Sequence, residues 1–266
     1  MMVEQQAFFD ETTNSWAELI KHIEPLSRSH WLFRGQACDW CLAPTLQRKI
    51  DAWGIDPNHA PKLEQELVRE FRRRVWGEEQ SLVQKDMLNC LALMQHHGAP
   101  TRLLDATYSP FVAAQTALRE GLKDVPVIWC FNPYWMEKHH DQILGQTERS
   151  NRLDALIERT PLLVTNQNPH FLNRRLTAHQ GVFLCPGDIS RPFVENLKAM
   201  IGWNSGENVR KLRLCFAQDE RINAVKTLKR INVSSTVLFP GLDGFARSLG
   251  EELPHYDEIY ASKTTC

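Results

Sequence analysis

The sequence contains no long apolar run. Of its 266 residues 42% are hydrophobic, yet no segment approaches the roughly 18 uninterrupted apolar residues that a membrane span needs. The stretch MMVEQQAFFDETT at the start has neither a basic segment nor an apolar segment of the kind found in signal peptides. We therefore expect a cytoplasmic protein with no membrane partner.

An excess of charge of either sign is also missing. The chain has 31 Lys and Arg residues against 32 Asp and Glu residues, which gives a formal net charge of −1. A domain that binds nucleic acid through its overall field is usually strongly basic. The basic run REFRRRV at 69–75 lies within a helical pattern and is typical of a solvated helix face. This balance argues against nucleic acid as a partner.

Several common catalytic and metal-binding motifs are absent. The sequence has no GxSxG elbow, no P-loop, no GxGxxG turn and no HExxH pair. Its seven cysteines are scattered, and the CDWC segment at 38–41 has no second close pair with which to complete a zinc site. No bound metal is predicted, and the cysteines are expected to be reduced.

Hydrophobic periodicity predicts helices and strands that do not strictly alternate. A first helix begins at Trp16, after the capping pair Ser15 and Glu18, and is expected to end at Pro25. Residues 36–60 are predicted to form a long loop. The pattern predicts one α+β domain over 1–266, in which helices surround a mixed or antiparallel sheet. The other predicted helices lie around 63–75, 87–97, 110–120, 153–157, 192–201, 222–231 and 245–249, and the strands at 30–36, 125–131, 162–165, 181–186 and 209–216.

The stretch QHHGAPTRLLDAT at 95–107 crowds polar and titratable groups at the end of an apolar helix. Gly98 permits a sharp turn after that helix, and Arg102 and Asp105 point to opposite sides if the following segment is extended. Asp105 could therefore pair with Arg34. Two interpretations remain open, which are a buried polar brace and a ligand site; with the other motifs included, we favour the ligand site.

Five ordered motifs, FRGQ (33–36), LAPTLQR (42–48), ALMQHHGAPTRLLDAT, HQGVFLCPGD (179–188) and VLFPGLDGFA (237–246), resemble the FRG domain, a bacterial family named for its Phe-Arg-Gly motif. The resemblance covers roughly residues 20–250, the core of the predicted domain. Ala106 stands where that family usually has Trp. The resemblance implies a bacterial or phage-related effector that acts in toxin systems or antiviral defence.

Two of these motifs are also similar to parts of ADP-ribosyltransferases. FRG resembles their Tyr-Arg-Gly strand, whose arginine holds NAD, and HQGVFLCPG resembles the late strand that carries their catalytic glutamate, here Gln180. The resemblance implies an ADP-ribosyltransferase-like fold and NAD as the candidate substrate. Glutamine carries no charge, so Asp105 would stabilise the cationic transition state. The catalytic candidates are Arg34, His97, Asp105 and Gln180, and the binding candidates are Arg34, Gly35, Gln36, His96, Thr101, Arg102 and His179.

Gly35 is expected to let a ligand approach the backbone closely, while Arg34 offers forked hydrogen bonds to a phosphate. No resident cofactor is assigned. The same cleft could instead belong to a non-enzymatic module that senses a nucleotide or a protein partner. A third hypothesis is a phosphoester hydrolase that works through His97 and Asp105.

Overall fold

The protein is built around a seven-stranded mixed sheet. The computed structural model describes residues 9–119, 124–145, 152–169, 174–242 and 244–253. In this part of the chain the strand order is β1-β7-β4-β2-β3-β6-β5, with β1 and β7 parallel and the other neighbours antiparallel. The α+β prediction with a mixed sheet is confirmed. The strands are β1 Phe9–Thr13, β2 Leu32–Gln36, β3 Leu104–Thr107, β4 Val127–Phe131, β5 Val164–Gln167, β6 Gly181–Pro186 and β7 Val209–Leu214.

Helices cover both faces of the sheet, and within the described residues none is long and apolar enough to cross a membrane. Residues 244–253 are also helical. The remaining helices are α1 Trp16–Arg28, α2 Thr45–Trp53, α3 Ala60–Arg72, α4 Gln80–Lys85, α5 Met87–His96, α6 Pro110–Leu118, α7 Pro133–Leu144, α8 Arg152–Arg159, α9 Arg174–Ala178, α10 Phe193–Lys198, α11 Gln218–Arg230 and α12 Ser235–Leu238.

The central strand β4 shows why the sheet is buried on both sides. Its alternate residues Val127, Trp129 and Phe131 join a core under α3, α5, α7 and α8. Ile128 and Cys130 point the other way, into a core formed with α1, α6 and α11. All five side chains are buried, which explains the continuous apolar run: a strand with helices on both faces has no solvent side to keep polar.

Two sequence predictions about local structure are wrong. Helix α1 does not end at Pro25 but continues to Arg28; the buried side chain of Leu26 extends its apolar face, and this packing offsets the hydrogen bond that proline removes. The predicted loop at 36–60 contains α2, in which Leu46 and Ile50 are buried one turn apart and Gly54 ends the helix at φ 63°.

The two helices next to the candidate site have the caps that the sequence predicts. The Asp86 side chain accepts a hydrogen bond from the Asn89 amide at 3.0 Å and begins α5, and Gly98, at φ 83°, follows its end. Ser109 caps α6, where Pro110 occupies the first turn. These local signals place the end of α5 and the start of α6 beside β3.

Candidate functional site

The sheet opens between β2 and β3. Strand β2 pairs with β4 along all five of its residues, but with β3 at one position, Phe33 opposite Thr107. Beyond this pair the two strands diverge. The Arg34 side chain spans the opening, and its Nη1 donates a hydrogen bond to the backbone carbonyl of Asp105 at 2.7 Å. The gap between the strands therefore lies directly beside an arginine and a carboxylate.

A cavity of about 260 Å³ occupies this opening. The end of α5 and one side of α6 bound it, and Leu176 of α9 and the aromatic ring of Phe239 also contribute to the wall. The lining is polar as well as apolar, and charges of both signs face the same space. The polar and charged lining residues that matter for the argument are Arg34, Gln95, His96, Asp105, Arg119 and His179.

Four of the five sequence motifs meet at this cavity. FRGQ supplies Arg34, the QHHGAPTRLLDAT segment supplies Asp105, HQGVFLCPGD supplies His179, and VLFPGLDGFA supplies Phe239. The small side chain of Ala106 also lines it, so the residue that replaces the usual Trp leaves open space here. The LAPTLQR segment does not contribute to the lining.

The structure divides the ten predicted site residues into two groups of five. The first group lines the cavity and consists of Arg34, Gly35, His96, Asp105 and His179. The second group does not line it and consists of Gln36, His97, Thr101, Arg102 and Gln180. In the second group, Gln36, Thr101 and Arg102 are buried, whereas His97 and Gln180 are exposed.

Arg102 has a structural partner, Glu64, that does not line the cavity. Its Nε lies 2.9 Å from both carboxylate oxygens of Glu64, its Nη2 also bonds that carboxylate, and both side chains are buried. Burial alone would lower the pKa of Arg102, but the charge and hydrogen bonds of Glu64 raise it overall. The brace interpretation thus describes Arg102, with Glu64 as the acid instead of Asp105.

Gln180 sits in a turn at the edge of the cavity. Its backbone is left-handed, with φ 47°, and its carbonyl accepts a hydrogen bond from the Tyr108 amide at 3.1 Å. The side chain is exposed, whereas the two neighbours His179 and Gly181 line the cavity. His97 follows the last turn of α5 and is likewise exposed.

Arg34 is a cation with an unused hydrogen-bonding group. Its Nε is buried and has no hydrogen-bond partner among the described residues. Burial lowers the pKa of Arg34, the charge of Asp105 opposes that shift, and the nearby positive charge of Arg48 adds to it. A buried donor without an acceptor is unfavourable, and an anion entering the cavity would relieve this cost.

The Asp105 carboxylate does not pair with Arg34. Its Oδ1 accepts a hydrogen bond from Nε2 of Gln95 at 2.7 Å, and Oδ2 has no hydrogen-bond partner within the described ranges. Gln95 itself lines the cavity. Sequence reasoning missed this residue, although Gln95 is the first letter of the QHHGAPTRLLDAT segment and could have been considered with it.

Gly35 is explained by helix packing. A Cβ atom at this position would lie 1.9 Å from the carbonyl oxygen of Ala113 in α6. The backbone that approaches Gly35 most closely is that of α6, so the glycine is required by helix packing, and approach of a ligand to it stays a prediction. Because Gly35 has no side chain, α6 can pack directly against β2, and α6 then forms one wall of the cavity.

A cluster around Phe239 forms another wall. The ring lies edge-on to His179, with 5.0 Å between centroids, and the Arg119 and Arg247 guanidinium carbons lie 5.5 and 5.0 Å from its centroid. The helical residues 244–253 pack directly behind it, since a Cβ on Gly244 would meet the Phe239 carbonyl oxygen at 1.7 Å. Phe239 and Arg119 were not predicted, because their roles depend on contacts distant in sequence.

The fold and site define an α+β protein with a charged cavity at an opening in its central sheet. Residues 29–124 match the family model of the FRG domain, which supports the FRG assignment made from the motifs. The matched segment runs from before β2 to beyond α6, and the cavity walls formed by His179 and Phe239 lie outside it. No curated protein and no solved structure matches the chain.

Proposed function

We propose that the cavity binds a nucleotide and that NAD is its candidate substrate. The observation that carries the proposal is the separation of two neighbouring charges, since Arg34 bonds the backbone of Asp105 while the carboxylate of Asp105 bonds Gln95. A guanidinium donates to phosphate oxygens and a carboxylate accepts from sugar hydroxyls. A nucleotide carries both groups at a short spacing, so it satisfies both residues at once.

The size of the cavity limits how much of the ligand it would enclose. Its volume of about 260 Å³ is close to the lower end of the range for small-molecule sites, which is roughly 300–1,000 Å³. One half of a dinucleotide matches this space better than the whole molecule. We therefore place the nicotinamide riboside half of NAD inside, its phosphate at Arg34, and the adenosine half towards solvent.

Asp105 would supply the charge that the reaction requires. When the bond between nicotinamide nitrogen and C1′ of the ribose breaks, its electron pair leaves with nicotinamide and positive charge develops at C1′. A carboxylate beside that carbon stabilises the charge. Water, or a nucleophile on a target molecule, then forms the new bond to C1′. With water, NAD⁺ and H₂O give ADP-ribose, nicotinamide and one proton, which Asp105 accepts and passes to solvent.

The proposed biological setting is a bacterial or phage-related effector in a toxin or antiviral defence system. Its support is the FRG domain matched at residues 29–124 and the resemblance of the motifs to that family. Consumption of NAD, or modification of an essential target, would be consistent with such a role.

A second candidate function is a nucleotide-sensing module without turnover. Gln180, which the motif resemblance puts near the position of the transferase glutamate, does not line the cavity, and Asp105 is the one carboxylate in the lining among the described residues. A site with a single acid could hold a nucleotide in place without cleaving it. Binding without release of nicotinamide would distinguish this function from the first.

The test combines NAD binding by calorimetry with nicotinamide release by chromatography, using wild-type protein, Arg34→Ala and Asp105→Asn. Arg28→Ala is the control, since Arg28 is an exposed residue paired with Glu24. We expect release from the wild type and the control, loss of binding in Arg34→Ala, and retained binding with lost release in Asp105→Asn. Wild-type protein that neither binds nor cleaves NAD would contradict the proposal.

A further inference from the structure

The hydroxyl of a buried threonine beside the cavity both donates and accepts a hydrogen bond. Thr101 is completely buried. Its Oγ1 accepts a hydrogen bond from the Leu103 backbone amide at 3.3 Å and donates its proton to Oε1 of Gln95. The backbone carbonyl of Thr101 is held as well, by the Leu46 amide at 3.0 Å. The hydroxyl is therefore an oriented donor on a rigid segment.

This donor sets the orientation of the Gln95 amide. Because Oε1 of Gln95 accepts from Thr101, Nε2 is the group that faces Asp105, and it donates to Oδ1 at 2.7 Å. The reversed amide would place its NH₂ against the Thr101 hydroxyl and its carbonyl oxygen against a carboxylate. The second of these contacts is repulsive. One orientation is thus selected by hydrogen bonding at both ends.

The orientation of Gln95 decides whether the Asp105 carboxylate can pair with the Arg34 guanidinium. Nη1 of Arg34 already reaches the backbone carbonyl of Asp105, and Nε of Arg34 is buried with no partner among the described residues. An unrestrained carboxylate at this position would satisfy that donor and form an ion pair. Its bond to Gln95 holds it in a different direction, so the cation and the anion both face the cavity.

We infer that Thr101 and Gln95 are positioning residues that keep the Asp105 carboxylate from pairing with Arg34, and so keep the cavity selective for a ligand with an anionic group and a hydroxyl group. The positioning role rests on the geometry. The ligand class deepens the proposed function and rests on it. Arg34 donates and the Asp105 carboxylate accepts, so a phosphate ester of a sugar with a free hydroxyl fits both.

The ligand-free test observes the Arg34 Nε–H group by NMR of protein labelled with ¹⁵N-arginine, with Arg34→Lys to assign the signal. Thr101→Val keeps the shape but removes the hydroxyl, and Gln95→Leu removes the amide. In both we expect a shift of this signal and exchange with solvent slowed about tenfold or more, because the group gains a charged acceptor. Thr101→Ser should restore the wild-type spectrum.

Two kinds of control show whether the shift of the Arg34 Nε–H signal comes from a new charged acceptor or from a general change in the protein structure. Thr227→Val removes a hydroxyl that bonds its own helix at Asn223, and Gln84→Leu removes an exposed amide; both should leave the signal unchanged. The double variant Gln95→Leu/Asp105→Asn should also lack the shift, because the charged acceptor is gone. An unchanged Arg34 signal in folded Thr101→Val or folded Gln95→Leu overturns the positioning role.

The ligand arm measures NAD and ribose 5-phosphate binding by calorimetry in the same variants. We expect affinity to fall about tenfold in Thr101→Val and to recover in Thr101→Ser. If the wild type binds ribose 5-phosphate but not NAD, the ligand class stands and the proposed function fails. If it binds neither, the ligand class is wrong, and the Arg34 signal still decides the positioning role separately.

Discussion

Nη1 of Arg34 donates to the backbone carbonyl of Asp105 at 2.7 Å, while the carboxylate of the same aspartate accepts from Gln95. A cation and an anion are thus neighbours without forming an ion pair. The cost lies at Nε of Arg34, which is buried without a hydrogen-bond partner among the described residues. The arrangement is useful for a ligand site, where unpaired groups are available for binding.

Replacing Arg34 by Met should weaken NAD binding while leaving the stability of the protein nearly unchanged. The change removes a guanidinium whose buried Nε has no hydrogen-bond partner among the described residues, together with its bond to the Asp105 carbonyl, so we expect the free energy of unfolding to change by no more than about 1 kcal/mol. NAD affinity should fall roughly 30-fold or more, since a charged contact is lost. Urea denaturation and calorimetry measure the two effects. A large loss of stability, compared with Arg28→Met, would show that Arg34 is structural.

Replacing Glu64 by Gln should lower the stability of the protein and leave its affinity for NAD unchanged. The change leaves the buried Arg102 without its counter-ion, so we expect a loss of about 3–5 kcal/mol in the free energy of unfolding. The affinity of the folded fraction for NAD should be unchanged, because Arg102 does not line the cavity. Glu24→Gln, at an exposed pair, is the control and should cost less than about 1 kcal/mol.

Two glycine substitutions test whether Gly35 is required for packing. Gly35→Ala places a methyl group 1.9 Å from the Ala113 carbonyl oxygen, so α6 must move and we expect a loss of about 3 kcal/mol or more. Gly250→Ala, in helical surroundings with nothing within 4 Å, should instead stabilise by about 1 kcal/mol. Thermal unfolding compares the two, and equal melting temperatures would contradict the packing argument.

Buried thiols should make the protein sensitive to alkaline pH. Burial raises the pKa of Cys185 to about 12, against the opposing charge of Arg102, and burial also raises the pKa of Cys130, both from an ordinary value of 9.0. Above pH 9 the unfolded chain loses these protons while the folded chain keeps them. The free energy of unfolding should then fall by about 1.4 kcal/mol per pH unit for each thiol.

Urea denaturation between pH 8 and pH 11 measures this slope, and Cys185→Ala should reduce it. Maleimide labelling with peptide mapping gives an independent check. Among the cysteines that the structure describes, Cys41 and Cys215 are exposed and should react at once. Cys130 and Cys185 should react only on unfolding, and their rapid labelling in the native protein would contradict the burial.

Local sequence signals predicted much of the fold. Asp86, Gly98 and Ser109 mark helix ends by hydrogen bonds and backbone conformations that depend on neighbouring residues. The strand at 181–186 was predicted with the bounds that the structure has. Edge strand β1 and helix α7 were not predicted, although Asn132 and Pro133 form a cap and first turn that could have indicated α7.

The candidate site was only partly predictable, because the partners of its side chains are distant in sequence. By itself the sequence determined the start of α5 and of α6, the glycine after α5, and which motifs carry polar groups, since these depend on local propensity and periodicity. The tertiary structure decided that Arg102 pairs with Glu64, 38 positions away, and that Arg34 bonds the backbone of Asp105, 71 positions away, instead of its carboxylate. Such pairings follow from how strands and helices pack, which no local pattern encodes.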